Sequence, residues 1–245
     1  MTINSTTKKG GIWKLGDSIT MGYSAGDISK RTVDILNKNY NGNFTAFGAG
    51  NLRTEELTSC VSLIASHLPD EIIISTGVNN IRASESAATI VGRVGTFLTA
   101  LNAATSNYYT VGVNFFVESL VPQTLQDVSS TNSLLASTYT NGYIDTYSPL
   151  KYNSATTPNT QLYNVDGIHP NANGFQIEAK AIALKRAYTL RNQTDINNYS
   201  VRAQSNGFVA LGNSTTPQTN LDIVGSKAQI RLSSTPADQT DNGFY

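Results

Sequence analysis

The chain has 245 residues, which is enough for one full domain and a smaller appendage around a sizeable buried core. Its 17 basic and 17 acidic residues give a formal net charge of +0, and neither sign forms a long run, which excludes a surface built for nucleic acid or for an anionic membrane. The charged share of 14% is low against about a quarter in ordinary domains. Ser, Thr and Asn take its place, as in proteins that work outside cells or on glycans.

Cysteine usage and the apolar runs exclude further classes of protein. The single cysteine, Cys60, rules out an intrachain disulfide and a cysteine-based metal cluster. Residues 1–9 contain no apolar segment that could serve as a signal peptide, and no later run of about 18 apolar residues could span a membrane. We therefore expect no membrane partner, no nucleic-acid partner and no visible signal for export by the usual route.

The first predicted element is a short strand that ends at a serine. The apolar run 11–15 predicts the strand, and Gly16-Asp17-Ser18-Ile19-Thr20 follows it. A serine between turn-forming residues at the end of a parallel strand can point its hydroxyl into the crevice above the sheet. Because a hydroxyl is a poor nucleophile without a neighbouring base, this interpretation requires a histidine elsewhere in the chain.

Helices and strands alternate through the following residues. Apolar spacing of about 3.6 predicts helices, and short apolar runs predict strands. The predicted helices span residues 27–39, 54–68, 84–104, 129–137 and 172–191. The predicted strands between them span residues 44–47, 71–76, 109–117 and 143–145. Since this alternation favours parallel pairing with right-handed crossovers, we expect a three-layer α/β/α sandwich around a parallel sheet.

Two segments without helical periodicity complete the chain. Residues 146–168 form a long predicted loop, and such loops in compact domains are usually functional. Past the last helix, strand-like pieces at 207–213, 221–225 and 229–232 make up a polar tail that is too short for its own core. We expect the tail to be disordered, or to pack against copies of itself or against the main domain. The predicted organisation is an N-terminal arm (1–10), a main domain (11–192), a linker (193–204) and a β-rich tail (205–245).

Two histidines could serve as the base. His67 lies near the carboxyl end of a predicted helix, where an imidazole commonly meets the terminal carbonyls or the helix dipole. His169 follows Asp166 by three residues in a turn-like segment, so that the carboxylate can reach one ring nitrogen while the other faces outward. An isolated Asp-x-x-His is usually a loop histidine beside an acid, and it gains meaning here from the serine motif. We therefore predict His169 as the base and Asp166 as its orienting partner.

Ester cleavage also needs hydrogen-bond donors for the negative oxygen of the tetrahedral intermediate. Asn79, at the end of a predicted strand, offers a side-chain N–H. Gly50 offers a backbone N–H with no side chain to block approach, and the backbone N–H of Ser18 completes the predicted set. A loop glycine such as Gly50 is also explained by a simple turn.

In chain order, these motifs resemble the blocks of the SGNH (GDSL) hydrolases. The resemblance covers about residues 11–192 and rests on Gly16-Asp17-Ser18-Ile19-Thr20, Gly50, Gly77-Val78-Asn79-Asn80 and Asp166-Gly167-Ile168-His169-Pro170. It implies a flavodoxin-like sandwich and a serine esterase that needs no cofactor or metal. It also implies that Ser18 is the nucleophile, His169 the base and Asp166 its partner, with an oxyanion hole made by Ser18, Gly50 and Asn79.

Two positions depart from the family pattern. The block around Asn79 usually reads Gly-x-Asn-Asp, and Asn80 replaces its acid here, which alters how that loop is tied down. Thr45 stands where an asparagine often begins the second block, so Gly48 remains a rival to Gly50 as the oxyanion donor. Neither change removes a reacting group.

The tail resembles a different class of protein. Leu211-Gly212-Asn213-Ser214-Thr215-Thr216-Pro217, followed by residues 221–225, is similar to segments common in bacteriophage tail fibres and spikes, which are typically trimeric. The resemblance implies a homotrimer in the virion or outside the cell, and it accounts for the missing signal peptide because virion proteins are released by lysis. The end at Gly243-Phe244-Tyr245 suggests a fragment of a longer fibre.

Several residues are candidate substrate contacts. Aromatic faces suit the C–H-rich surface of a sugar, and the tyrosines just upstream of Asp166 either stack on a sugar or are ordinary loop residues: Tyr143, Tyr147, Tyr152 and Tyr163. Arg82, which follows the Asn79 block, is a candidate contact for an anionic substrate. Trp13 is predicted to belong to the core of the first strand.

The resulting hypothesis is a serine esterase that removes acyl groups, above all O-acetyl, from a bacterial surface polysaccharide. The expected substrate is an acylated carbohydrate or a small ester. A lipase or thioesterase of the same fold is one alternative, and activity that rises with acyl length would favour it. A glycan-binding fibre adhesin without catalysis is the other, although the intact set of Ser18, Asp166 and His169 argues for an enzyme.

Overall fold

A computed structural model describes residues 10–40, 43–153 and 156–194, together with three short strands of the tail. The main sheet has five parallel strands in the order β2-β1-β3-β4-β5. They are β1 (Ile12–Gly16), β2 (Phe44–Gly48), β3 (Glu71–Ser75), β4 (Phe115–Glu118) and β5 (Tyr143–Ile144). Residues Ile72, Ile73 and Ile74 at the centre of β3 are fully buried, as expected for a strand covered on both faces.

Helices cover both faces of this sheet. They are α1 (Thr32–Asn39), α2 (Val61–His67), α3 (Val78–Arg82), α4 (Ala87–Ala104), α5 (Ser129–Thr138), α6 (Tyr147–Leu150) and α7 (Ala172–Thr194). Strand β1 shows the two faces, because Leu15 lines an apolar cavity with Ile64 of α2, whereas Lys14 contacts Glu178 of α7. The predicted three-layer α/β/α sandwich with a parallel sheet is confirmed.

The helices and strands differ from the predicted ones mainly at their ends. The helix predicted over 27–39 begins as a 3-10 turn at Ile28–Lys30, and the one over 54–68 begins as a 3-10 segment at Thr54–Cys60. The strand predicted over 109–117 is reduced to β4, because the carbonyl of Thr110 accepts three backbone N–H bonds and turns the chain. The sequence analysis did not predict helices α3 and α6, since each is five residues or shorter.

A buried ion cluster joins the sheet to α7. The Nζ of Lys14 lies 2.8 Å from Oε2 of Glu118 at the end of β4 and also contacts Oε1 of Glu178, and all three side chains are almost completely buried. Burial would lower the pKa of Lys14, but the two carboxylates together raise it. Burial raises the pKa of Glu118 to about 7 against the attraction of Lys14. A charged cluster therefore occupies part of the core beneath the carboxyl end of β1.

The tail forms a unit of its own. Contacts divide the chain into residues 1–189 and 190–245. In the second unit, β6 (Arg202–Ala203) pairs antiparallel with β7 (Val209–Gly212), and β7 pairs parallel with β8 (Leu221–Val224). The strand predicted at 229–232 lies outside the described residues, and so do residues 1–9 of the predicted N-terminal arm. The bounds given above for the linker and the tail stay predictions.

None of the helices in the described ranges has both the length and the apolar character needed to cross a bilayer.

Candidate active site

The turn after β1 presents the Ser18 hydroxyl to the ring of His169. Ser18 Oγ lies 2.9 Å from His169 Nε2, although 151 positions separate the two residues in the chain. The turn also requires Gly16, because β3 and Thr20 lie very close to its backbone. A Cβ at this position would stand 2.0 Å from the carbonyl oxygen of Ser75 and 2.2 Å from Oγ1 of Thr20. A glycine therefore has to end the strand that carries the serine.

Asp166 holds the other side of the His169 ring. Its Oδ2 lies 2.7 Å from His169 Nδ1, and its Oδ1 accepts the backbone N–H groups of Ile168 (2.9 Å) and His169 (3.0 Å). Burial would raise the pKa of Asp166, but these hydrogen bonds outweigh it and hold the pKa below its usual value. The ionised carboxylate keeps the proton of the imidazole on Nδ1, which leaves Nε2 free to accept a proton from Ser18.

Asn164 connects the serine turn to the histidine loop, and the sequence analysis did not single it out. Its Nδ2 lies within 3.1–3.2 Å of the carbonyl oxygens of Ser24, His169 and Pro170. Its backbone N–H also donates to the carbonyl of His169 at 3.0 Å. One amide side chain thus contacts both halves of the candidate site.

The predicted oxyanion donors lie on neighbouring loops. Asn79 Nδ2 donates one N–H to the carbonyl of Leu52 at 3.0 Å, which fixes the side chain and leaves its second N–H for a ligand. Gly48 belongs to β2, where a Cβ would stand 2.4 Å from the carbonyl oxygen of Gly16, so sheet packing alone explains this glycine. Gly50 is exposed, and the space around its Cα is open. Gly50 is thus the more accessible of the two glycines, and its role as the oxyanion donor stays a prediction.

The departure at Asn80 has a clear structural basis. Its Oδ1 accepts the N–H (2.9 Å) and the hydroxyl (3.0 Å) of Thr54. Its Nδ2 donates to the carboxylates of Glu55 (2.8 Å) and Glu85 (3.0 Å), which Arg93 also contacts. An aspartate at this position could not donate to two carboxylates, so the amide matches its acidic surroundings.

Asp17 lies buried next to the nucleophile candidate. Its Oδ1 accepts the backbone N–H of Ile19 at 2.9 Å. Burial raises the pKa of Asp17 to about 6, against the hydrogen bond from Ile19 and the nearby charges of Lys14 and His169. The serine motif thus contains a buried titratable group whose pKa responds to both the ion cluster and the imidazole.

The predicted substrate contacts are only partly accessible. The structure contradicts a stacking role for Tyr147 and Tyr163, because only 8% and 5% of these residues are exposed and their rings pack inside the protein. Tyr143 is half-buried, Tyr152 is 54% exposed, and Arg82 is exposed at the end of α3. Burial depends on which elements pack together, so the loop composition could not distinguish these tyrosines.

His169 also has an aromatic contact that no sequence pattern indicated. The ring of Tyr23 lies 4.8 Å from the imidazole, centroid to centroid, and Tyr23 is 62% exposed.

His67 and Trp13 have structural roles. His67 is the last residue of α2, and its Nδ1 lies 3.0 Å from the carbonyl oxygen of Leu63 in the same helix, which confirms its structural interpretation. Trp13 is buried in the core, as predicted.

Comparison with known proteins supports one family. The family model described as GDSL-like lipase/acylhydrolase matches residues 15–177, more than half of the chain. A search of curated proteins finds no match.

Solved structures share the fold at low sequence identity. A carbohydrate esterase family 3 protein from Talaromyces cellulolyticus is 16% identical with a TM-score of 0.58, over 75% of this chain and 99% of that one. A family 3 carbohydrate esterase from Clostridium thermocellum is 16% identical with a TM-score of 0.54, over 74% and 100%. A GDSL-like lipase from Bacteroides thetaiotaomicron is 15% identical with a TM-score of 0.58, over 76% and 93%.

The matched segment contains the serine turn, the Asn79 loop and the histidine loop within one parallel α/β/α sandwich. This chain therefore belongs to the GDSL-like lipase/acylhydrolase family, and it is a carboxylic ester hydrolase.

Proposed function

We propose that Ser18, His169 and Asp166 form the catalytic triad of this hydrolase. The contacts of 2.9 Å between Ser18 Oγ and His169 Nε2 and of 2.7 Å between His169 Nδ1 and Asp166 Oδ2 carry the proposal. Nε2 takes the hydroxyl proton as Oγ attacks the ester carbonyl carbon. The imidazolium then returns that proton to the leaving alcohol as the C–O bond breaks, and an acyl-enzyme remains.

A water molecule completes the cycle. His169 Nε2 removes its proton as the water oxygen attacks the acyl carbonyl, and the proton goes to Ser18 Oγ when the acid departs. In both steps the carbonyl oxygen becomes negative, and we assign its stabilisation to the backbone N–H groups of Ser18 and Gly50 and to the free N–H of Asn79. Each such donor is worth about 2.7–4 kcal/mol in comparable enzymes.

We further propose that the substrate is an O-acetylated polysaccharide of a bacterial surface. The carbohydrate esterases among the structures of this fold support this substrate class, as does the low charged share of 14%. The tail sequence supports a role in a phage tail fibre, and with it a virion or extracellular location. These assignments go beyond the family.

Removal of the nucleophile tests the mechanism. Ser18→Ala is expected to lower the turnover of p-nitrophenyl acetate by about 10³–10⁶-fold, while Thr58→Ala, an exposed change on the 3-10 segment, leaves it unchanged. Unchanged hydrolysis by Ser18→Ala, with the fold intact by circular dichroism, would reject the triad.

The substrate is tested separately from the mechanism. Acetate release is measured from a panel of O-acetylated bacterial polysaccharides, and activity is compared across p-nitrophenyl esters from acetyl to decanoyl. We expect acetate release and the highest kcat/KM for the shortest ester. Rates that rise with acyl length would favour a lipase or thioesterase, and binding of glycan without acetate release would favour an adhesin.

The proposed trimer follows from the tail alone. Light scattering on the full chain is expected to give three times the monomer mass, and a chain that ends at residue 194 is expected to give a monomer. A monomer in both cases would contradict the assembly.

A further inference from the structure

We propose that Tyr23 is the binding surface for the alcohol part of the ester and selects esters whose alcohol is a ring, a sugar above all. This assignment rests on the proposed triad and refines its substrate class. It replaces the stacking role predicted for Tyr147 and Tyr163, which are buried. It concerns the leaving alcohol of the ester.

The reaction geometry places the alcohol next to His169. Because Nε2 returns its proton to the leaving oxygen, that oxygen has to come within hydrogen-bond distance of Nε2. The ring of Tyr23 lies 4.8 Å from the same imidazole at an interplanar angle of 56°. The proposal therefore places an alcohol larger than a few atoms beside the imidazole, against the ring of Tyr23.

The exposure of Tyr23 leaves room for this contact. Tyr23 is 62% exposed, whereas the His169 side chain is only 12% exposed. Most of the Tyr23 ring is therefore available to a ligand at the mouth of the site. Aromatic rings pack well against apolar surfaces, which suits the C–H face of a sugar.

The backbone holds Tyr23 in place before any substrate arrives. Its N–H donates to the carbonyl of Ser18 at 2.9 Å, so the tyrosine and the nucleophile share one turn. Gly22, the residue before Tyr23, adopts a positive φ of +69°, a conformation that favours glycine. A Cβ at this position would come within 2.2 Å of the Arg31 side chain, so the turn requires a glycine here. Asn164 Nδ2 contacts the carbonyl of Ser24 on the other side of Tyr23. Such preorganisation lowers the cost of ordering a contact residue on binding.

The test compares two acetates that differ only in the alcohol. Values of kcat/KM are measured for methyl acetate and for a methyl glycoside that carries one O-acetyl group, with the wild type, Tyr23→Ala and Tyr23→Phe. We expect Tyr23→Ala to lose about 3- to 10-fold on the sugar ester and less than about twofold on methyl acetate. Tyr23→Phe should retain both activities, and Tyr40→Ala, a change at a tyrosine that is 46% exposed, serves as the matched control.

Binding provides a readout that needs no turnover. The affinity of Ser18→Ala for the acetylated glycoside is measured by calorimetry, with and without Tyr23→Ala, and the second change should weaken binding by a similar 3- to 10-fold factor. Equal losses on both acetates would show that Tyr23 acts only by positioning His169, and unchanged values would show no contact. Either result overturns the inference, whereas equal activity of wild type and Ser18→Ala would overturn the proposed triad itself.

Discussion

His169 is held by residues that come from two separate parts of the chain. Asp166 contacts one ring nitrogen, Ser18 the other, and Tyr23 packs against the ring, while Asn164 fixes the backbone carbonyl. Because the hydrogen bonds of Asp166, Ser18 and Asn164 each restrict a different degree of freedom, the orientation of the imidazole depends on these three residues. Two predictions follow at the level of single residues.

The first concerns the tautomer of His169. Asp166→Asn is expected to lower kcat by about 10³–10⁴-fold, because an amide can donate to Nδ1 and then favours the proton on Nε2, where it blocks acceptance from Ser18. Steady-state kinetics on p-nitrophenyl acetate measure the loss. Thermal unfolding serves as the control for folding, and a decrease of less than tenfold in a folded variant would contradict the assigned role.

The second concerns the contact between the two loops. Asn164→Asp replaces an N–H donor by a carboxylate oxygen that faces the carbonyl oxygens of Ser24, His169 and Pro170. We expect kcat to fall by about 10- to 100-fold with little change in KM, since misplacing the base affects the chemical step more than binding. Asn173→Asp, on an exposed residue of α7, is the matched control. A variant that keeps its kcat would show that Asn164 does not position the base.

At the level of elements, the loop from β3 to α4 is fixed by a polar cluster rather than by apolar packing. Asn80 on α3 bonds Thr54 and Glu55 of the 3-10 segment and Glu85 before α4, and Arg93 of α4 contacts both acids. Every polar group of the buried amide has a partner, so the cluster connects three elements at once. Asn79 is the neighbouring residue, so the cluster holds its backbone, while the carbonyl of Leu52 holds its side chain.

The acid that the family usually carries should not fit this cluster. Asn80→Asp is expected to destabilise the protein by about 2–4 kcal/mol, because it removes the N–H donor and puts a third carboxylate against Glu55 and Glu85 in a buried place. Denaturant unfolding measures the change in the free energy of unfolding. Combining Asn80→Asp with Glu85→Gln restores one donor and should recover part of the loss, whereas a stable single variant would contradict the role of the amide.

The whole molecule contains carboxyl groups that burial makes weaker acids. Burial raises the pKa of Glu71 to about 7 and that of Glu118 to about 7, and it raises the pKa of Asp17 to about 6. In each case the folded state binds a proton more tightly than the unfolded chain does. The stability that this proton uptake contributes is present below the unfolded pKa and is lost as the pH rises through the folded pKa.

We therefore expect the free energy of unfolding to decrease between about pH 4.5 and pH 7. Denaturant unfolding at several pH values gives the slope, and Glu118→Gln should make it shallower because the amide does not titrate. Glu56→Gln, a change at an exposed residue of the 3-10 segment, serves as the control and should leave the slope unchanged. An identical slope in wild type and Glu118→Gln would contradict the assignment of this titration to Glu118.

The buried ion cluster of Lys14, Glu118 and Glu178 yields a further prediction at a fixed pH. Lys14→Met leaves Glu118 and Glu178 buried together without their cation. Removing one partner of a buried ion pair typically costs about 3–5 kcal/mol, and unfolding experiments at pH 8 should show a loss of this size. A change below about 1 kcal/mol would mean that the lysine contributes little to folding.

The sequence alone determined the layers of the fold and predicted that Ser18, Asp166 and His169 lie together. The alternation of helical and strand patterns is local, and the serine and histidine motifs are short runs of neighbouring residues, so both are readable along the chain. Only the tertiary structure decided that Tyr147 and Tyr163 are buried, that Tyr23 packs against the imidazole and that Lys14 lies between two acids in the core. Burial and long-range contacts depend on how distant elements pack against each other, and neither composition nor spacing along the chain encodes that packing.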